Sequence, residues 1–383
     1  WACNMAKVNK LEYVDALRGI AILAVILVHC AQYGTNVYPS VIASIMEKGQ
    51  MGVQLFYVMS ALTLFLSYER RLNKEVHPQR NFFIRRFFRI APMYYLGIFY
   101  YLWQNGRAPN FWTGFGPGIT DGNIAANFTF LHGFNPYWFN SLVPGGWSIA
   151  VEMCFYLLIP FLFRYVTSGR QAFRVFLITI GIKLVLHVIM LKLRPIDDVW
   201  LWKEFLYYYL PSQMPVFMLG ILLHFVLRGR EEDHAMRPID LFAFAGLLIL
   251  HLATGREVLL PTHALFGLAF VLLAWTLAKK PFRILVNPVM RHIGMVSFSL
   301  YLVHFAVLHW MDQYHLCDLV APEGTAKALV NYGVRYTLVA TIGVAISTVL
   351  YHTIEVPMQK VGQRLIDRWE KRPEQPVVPS AGL

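Results

Sequence analysis

The sequence has few charged residues and few cysteines for its length of 383 residues. Asp, Glu, Lys and Arg make up 15% of the chain and apolar residues make up 57%, against roughly 25% and 45–50% in soluble domains. A chain this apolar is neither disordered nor an ordinary soluble domain. Its four cysteines form no C-x-x-C pair and have no zinc-ligand spacing. They therefore predict neither a disulfide framework nor a structural metal.

Several catalytic and cofactor motifs are also absent. The sequence contains no H-E-x-x-H, no P-loop, no dinucleotide fingerprint and no G-x-S-x-G, which removes the enzyme classes that depend on those motifs. The net charge of +12 would suggest nucleic acid in a soluble protein. Here the basic residues lie between apolar runs, which indicates a membrane surface instead. We expect no permanently bound cofactor, no metal and no nucleic-acid partner.

Apolar runs of about 20 residues, the length of a membrane span, recur along the chain. Ten such runs lie near 15–34, 50–68, 84–104, 147–166, 172–192, 206–227, 239–254, 260–278, 293–311 and 334–354. The third is expected to break near Pro92, and the seventh is short. The sequence therefore predicts an all-α polytopic integral membrane protein with about ten transmembrane helices and a membrane domain over residues 15–358.

Basic residues predict the orientation, because Lys and Arg are enriched on the cytoplasmic side. A cytoplasmic N-terminus places 25 of the 34 Lys and Arg residues inside and eight outside. We therefore expect the segments 1–14 and 359–383 to be cytoplasmic, the second partly disordered and without a further soluble domain. The aromatic loop 105–146 is then outside, where its length is typical of a lid or binding surface.

The first apolar run carries two ionisable residues, Arg18 and His29. On a helix they share one face about 16 Å apart. Arg18 alone is equally well explained as an interfacial anchor, and a lone buried histidine usually serves packing. Two such groups on one stripe of one span instead indicate a pathway for a polar substrate.

An arginine cluster, Arg85, Arg86 and Arg89, opens the third run. Helical spacing of three and four residues makes them neighbours. Ordinary positive-inside anchoring explains them about as well as function does. The functional interpretation is an anion cradle, since guanidinium groups bind phosphate oxygens in pairs.

The fourth run begins with Trp147 and Ser148 and carries Glu152 one turn later. A carboxylate inside the hydrocarbon region needs a partner or a proton. His29 is expected at a similar depth from the opposite side. We therefore predict a contact in which Glu152 orients His29 as a general base.

A polar stripe in the ninth run contains Ser297, Tyr301 and His304, spaced to share one helix face. Hydrogen bonding between helices explains such a stripe more simply than catalysis does. Glu355, at the inner end of the tenth run, is expected to pair with a loop arginine. These side chains remain candidates for lining a substrate site.

These motifs, in this order, resemble the membrane-bound acyltransferase family 3, whose members O-acylate surface polysaccharides and related acceptors. The resemblance runs from about residue 11 to residue 360. Its elements are the Arg-x10-His of Arg18 and His29, the Gly-Val-x-x-Phe at 52–56, the arginines opening the third run, the Trp-Ser-x-x-x-Glu at 147–152, the Ser-x-x-x-Tyr-Leu-x-His at 297–304 and the Glu-x-Pro at 355–357.

The resemblance implies an acyl-CoA donor, acetyl-CoA being expected, on the cytoplasmic side of a bacterial inner membrane. It implies an acceptor hydroxyl on a surface glycan, such as an O-antigen (lipopolysaccharide) or exopolysaccharide, or on its lipid-linked precursor. We expect Arg18 and the cluster Arg85, Arg86 and Arg89 to bind CoA phosphates. His29 is expected to act as the base with Glu152 behind it. Trp147, Ser148, Tyr301 and His304 are expected to contact substrate, and Trp112, Tyr137 and Trp138 of the outer loop to stack on sugars.

Two other interpretations stay open at this point. In a covalent relay, His29 takes the acyl group and a separate periplasmic esterase-like protein delivers it. A glycolipid transporter would also have about ten spans with polar stripes, although the sequence shows no inverted repeats with paired broken helices.

Overall fold

The computed structural model describes residues 12–35, 37–108, 118–229, 261–321 and 324–370. Within these ranges the chain forms fourteen α-helices and no strand. They are α1 Glu12–Cys30, α2 Ser40–Lys48, α3 Gly52–Leu72, α4 Pro78–Asn105, α5 Asp121–Phe128, α6 Gly146–Tyr165, α7 Gly169–Leu193, α8 Val199–Tyr208, α9 Leu210–Arg228, α10 Thr262–Lys279, α11 Pro288–Met295, α12 Ser297–Gln313, α13 Thr325–Leu350 and α14 Val356–Glu370.

The described helices include seven candidate membrane spans: α1, α2–α3, α6, α7, α8–α9, α10 and α13–α14. An eighth is the pair α11 and α12, which meet at 78°. The prediction of an all-helical, multi-pass membrane protein is confirmed for the described residues, whereas the predicted number of ten transmembrane helices is not. The expected span at 239–254 lies outside the described residues, as do residues 1–11 and 371–383.

Two helices differ from the sequence prediction. α4 runs unbroken through Pro92, so the expected break there is wrong. A proline inside a membrane helix is tolerated when neighbouring helices satisfy the freed backbone groups. The ninth run does not begin as one straight helix at 293, because the chain bends between α11 and α12 at Val296. Asn287 caps α11, where its side chain accepts a hydrogen bond from the Met290 amide.

α1 lies at the centre of the part that forms the site. It packs most extensively on α11 and also contacts α3, α12 and α13. Gly294 permits the closest of these approaches, since a β-carbon there would overlap the carbonyl oxygen of Asp15. The buried face of α1 includes Leu17, Ala21 and Val25, so burial of apolar area fixes the helix in place.

Ion pairs join the helix ends on the side where α1 begins. Glu370 of α14 accepts hydrogen bonds from the amides of Val76 and His77 and from Asn81. Arg80 adds an ion pair to the same carboxylate at 3.6 Å. The polar start of α4 is therefore tied to the end of α14, and we call this side the basic end of the bundle.

Candidate active site

Two cavities lie along one face of α1. The arginine cavity, of about 70 Å³, is lined by Arg18, Val53, Phe56, Tyr57, Ser60, Arg89, Ile90, Ser148, Ile149, Glu152, Ser297, Phe298 and Tyr301. The histidine cavity, of about 220 Å³, is lined by Val25, Val28, His29, Gln32, Glu47, Gln50, Val53, Gln54, Asn140, Gly145, Trp147, Tyr207, Tyr208, Tyr301 and Phe305. Val53 and Tyr301 line both cavities, so the two cavities are neighbours. Arg18 and His29 face them from one stripe of α1, as the spacing predicts.

Glu152 is the acidic group of the arginine cavity. Its Oε1 accepts hydrogen bonds from the Ser60 hydroxyl at 2.5 Å and from the Tyr156 hydroxyl at 2.6 Å. Arg18 lies within electrostatic range of this carboxylate and of Arg89, and donates a hydrogen bond to Thr63 at 3.1 Å. Two guanidinium groups and one carboxylate therefore share one small cavity.

The predicted contact between His29 and Glu152 is wrong. Glu152 lines the arginine cavity and His29 the histidine cavity, and the hydrogen bonds of the carboxylate go to Ser60 and Tyr156. Similar depth in the membrane does not imply proximity, because the two residues approach from different helices with Tyr301 and Val53 between the cavities.

The three clustered arginines have different surroundings. Arg89 lines the arginine cavity. Arg86 lies over the rings of Phe82 and Tyr156, at 5.6 and 6.0 Å, and its buried Nε has no hydrogen-bond partner among the described residues. Arg85 instead forms two hydrogen bonds of 2.9 Å with the carboxylate of Glu75. The structure therefore brings Arg89 and Arg86 towards Arg18 but commits Arg85 to an ion pair at the basic end.

A tight turn separates the two cavities. Gly145 has φ of +75°, and a β-carbon on it would lie 2.6 Å from the Tyr301 hydroxyl, so only glycine fits. The Ser148 hydroxyl donates to the Gly145 carbonyl oxygen at 2.8 Å, and the Tyr301 hydroxyl lies 3.1 Å from that oxygen and 2.9 Å from Ser148. Two hydroxyl groups share one carbonyl acceptor, so either can donate to a third group while the other keeps the turn closed.

His29 has a hydrogen-bond partner that the sequence reasoning missed. Its Nδ1 lies 3.0 Å from Oε1 of Gln32. An amide oxygen only accepts, so Nδ1 carries the hydrogen, and Nε2 of the neutral ring has a free lone pair. The ring packs against Phe305 with centroids 4.4 Å apart. The residue that orients His29 is therefore Gln32, three positions further along the chain. Their i, i+3 spacing is the sequence feature that could have indicated this contact.

His304 is fully buried beside His29. The two ring centroids are 5.4 Å apart, and Nδ1 of His304 bonds to the Leu300 carbonyl oxygen at 3.1 Å. Its Nε2 is buried, and no group in the described part of the chain forms a hydrogen bond with it. Together with Tyr301, at 5.9 Å between rings, it forms the wall behind His29. Ser297 lines the arginine cavity at the start of the same helix.

The histidine cavity is lined by aromatic and amide side chains. Trp147 packs 4.3 Å from Tyr208, and Asn140 accepts a hydrogen bond from the Gly145 amide at 2.8 Å. Tyr207, Tyr208, Glu47 and Gln50 also line a side cavity of about 610 Å³ with Lys48, Lys183 and Lys203.

The aromatic loop that was expected to lie outside contributes to the site differently from the prediction. Its Asn140–Gly145 turn lines the histidine cavity, and His132, 3.0 Å from the Gly146 carbonyl oxygen, packs behind the start of α6. Tyr137 and Trp138 do not line either cavity. Trp112 lies outside the described residues.

Glu355, expected to pair with a loop arginine, has a closer partner. Ser299 donates a hydrogen bond to its carboxylate, and the residue is buried within electrostatic range of Arg89. The carboxylate sits in a π-helical turn between α13 and α14. The hydrogen bond between Ser299 and Glu355 therefore joins α12 to the turn between α13 and α14.

The chain is similar in sequence to a known protein family and to named proteins. A family model described as an acyltransferase domain, that of the acyltransferase 3 family, matches residues 11–352. Two similar proteins, from Staphylococcus aureus strains COL and MSSA476, are provisionally named O-acetyltransferases, and each is 22% identical over 405 residues. The alignments cover 95% of this chain and 60% of each relative. The chain thus spans about three fifths of the length of these relatives. No solved structure matches it.

Proposed function

Because the chain belongs to the acyltransferase 3 family, we propose that it transfers an acyl group, acetyl in the first instance, from acyl-CoA to a glycan hydroxyl. The observation that carries the proposal is the shared wall of the two cavities. An arginine-lined cavity suited to an anionic donor and a histidine-bearing cavity suited to an acceptor meet at Tyr301. A thioester that reaches Tyr301 from one side would meet a hydroxyl activated on the other.

The donor would enter from the basic end. Arg18 and Arg89 line the arginine cavity and Arg86 lies close by, so their positive charge would draw the polyanionic donor towards this cavity. A cavity of about 70 Å³ admits the thin thioester end of a donor rather than its nucleotide. The nucleotide would therefore stay nearer the start of α4, at the face that we assign to the cytoplasm of a bacterial inner membrane.

The acceptor would occupy the histidine cavity. Sugars bind through aromatic faces and directed hydrogen bonds, and Trp147 and Tyr208 supply the first while Gln50, Gln54 and Asn140 supply the second. The adjoining side cavity gives room for further sugar units. A surface glycan or its lipid-linked precursor fits this lining better than an apolar alcohol does, because its many hydroxyl groups can form hydrogen bonds with amide side chains such as that of Gln50.

The chemistry follows from the free lone pair on His29. Nε2 removes the proton from the acceptor hydroxyl as its oxygen attacks the thioester carbonyl carbon. The carbonyl oxygen takes up negative charge, and the hydroxyl of Tyr301 or Ser148 donates to it while the other holds Gly145. The carbon–sulfur bond then breaks, and the imidazolium returns its proton to the leaving CoA thiolate. Gln32 stabilises the imidazolium through its amide oxygen.

The decisive experiment uses the purified protein in lipid nanodiscs with radiolabelled acetyl-CoA and a panel of glycans. We expect thiol release coupled to label on glycan, and a loss of about 10²–10⁴-fold in His29→Gln. Label trapped on the protein after acid quench would identify the covalent relay. Absence of thiol release with every donor, in protein that binds acetyl-CoA, would favour the transporter.

A further inference from the structure

The carboxyl-terminal end of α1, which carries His29, is held by a buried arginine on another helix. Arg335 of α13 has 1% of its surface exposed. Its Nε donates to the carbonyl oxygen of Cys30 at 2.8 Å, and its Nη1 donates to that of Cys317 at 2.7 Å. Nη2 donates to the Tyr38 hydroxyl at 3.0 Å. One guanidinium group thus joins the end of α1 to the two loops beside it.

The same face of α13 bonds to α1 at two further points. The Tyr332 hydroxyl donates to the Leu27 carbonyl oxygen at 3.0 Å, and the Tyr336 hydroxyl donates to that of Leu23 at 3.3 Å. Carbonyl groups in the last turn of a helix have no partner inside the helix. The Ala31 amide bonds to the Val28 carbonyl oxygen at 3.2 Å. α13 therefore donates hydrogen bonds to two carbonyl groups in the last turn of α1, those of Leu27 and Cys30, and to that of Leu23 one turn earlier.

A carboxylate completes this arrangement. Asp318 lies 3.5 Å from Arg335 and accepts hydrogen bonds of 2.8 Å from both the amide and the hydroxyl of Thr35. The chain that leaves α1 is fixed on both sides of Gln32, by Cys30 before it and Thr35 after it. We call Arg335, Tyr332 and Asp318, with their α1 contacts, the α1 clamp.

We propose that Arg335 is a positioning residue, which holds His29 and Gln32 in the geometry required for proton removal. A helix end frays unless its carbonyl groups are satisfied, and His29 is the residue just before the Cys30 carbonyl that Arg335 holds. A shift of about 1 Å at a catalytic group can cost about 100-fold in rate. The buried guanidinium group bonds to the carbonyl oxygens of Cys30 and Cys317 and to the Tyr38 hydroxyl, so it fixes three segments at once. This inference rests on the proposed function.

The test compares Arg335→Met with a matched control, Asn331→Ala. Asn331 anchors the same loop, through two hydrogen bonds to Val320, and among the described residues it makes no hydrogen bond to α1. We expect Arg335→Met to lower kcat about 100-fold and to leave the KM for acetyl-CoA within twofold, because the arginine cavity is at the other end of the helix. Asn331→Ala should keep wild-type kcat. Arg335→Lys should recover only part of the lost kcat, since one ammonium group can bond to one of the two carbonyl oxygens but cannot reach both.

Hydrogen–deuterium exchange, read by mass spectrometry, gives a measurement that does not need activity. In Arg335→Met we expect faster exchange in peptides covering residues 27–35 and unchanged exchange over residues 12–22. Tyr332→Phe, which removes one hydroxyl group, provides a milder variant should Arg335→Met fail to fold, and should show smaller changes in the same direction. Wild-type kcat in a variant whose helix end exchanges faster would overturn the positioning role, as would unchanged exchange. If the wild-type protein transfers no acyl group, the proposed function is refuted instead. The exchange data would still test whether Arg335 holds the end of α1.

Discussion

Replacing Gln32 by leucine tests the part of the site that only the structure revealed. Leucine is similar in size and cannot accept the hydrogen of His29 Nδ1. The bond matters most when the ring is an imidazolium, and hydrogen bonds to charged groups contribute about 1.5–3 kcal/mol. Since about 1.4 kcal/mol in the barrier changes the rate tenfold, kcat should fall about 10- to 100-fold. The KM for acetyl-CoA should be unchanged, because Gln32 does not line the arginine cavity.

The assay is steady-state acetyl transfer in nanodiscs, with thiol release followed in parallel. Gln32→Glu should retain most of the activity, because a carboxylate also accepts from Nδ1. Gln313→Leu is the matched control, an exposed glutamine at the end of α12 that lines neither cavity. Full kcat in Gln32→Leu, or an equal loss in the control, would show that the amide does not orient His29.

Three further predictions address the other elements of the site. Glu152→Gln and Gln32→Leu should have additive effects on the activation free energy to within about 0.5 kcal/mol; a larger coupling in a double-mutant cycle would mean that Glu152 acts on His29 after all. Arg89→Gln should raise the KM for acetyl-CoA at least tenfold, whereas Arg85→Gln should chiefly lower the melting temperature, and equal KM effects would contradict their different surroundings. Gly145→Ala should destabilise the protein by about 1–3 kcal/mol through backbone strain and abolish transfer, as measured by thermal unfolding and the same assay; a stable, active variant would exclude the tight turn.

The alignment of Arg18 and His29 could be predicted because it depends on one helix alone. Eleven residues of regular helix fix both the shared face and the separation. The hydrophobic runs predicted most spans for the same reason, since a lipid-exposed span must satisfy its own backbone. The bend between α11 and α12 could not be predicted in this way, because an apolar sequence through Val296 is compatible with a straight helix as well as with two helices.

Contacts between helices were where prediction failed. Glu152 and His29 were expected at similar depths but line different cavities, and depth along the membrane normal says nothing about rotation of a helix about its axis. Arg85 and Arg89 share a helical stripe, yet Glu75 binds one of them and leaves the other in the cavity. The partner of each arginine depends on which side chains the neighbouring helices and loops place beside it, and a single sequence does not contain that information.

The sequence by itself determined that this is a helical, multi-pass membrane protein, and which ionisable residues its apolar helices carry, because hydropathy and helical period are local properties. The tertiary structure decided the partners: Ser60 and Tyr156 for Glu152, Gln32 for His29, and Arg335 for the end of α1. Arg335 and Cys30 are 305 positions apart and meet only when helices pack, and the packing of small residues such as Gly294 against α1 sets which faces meet.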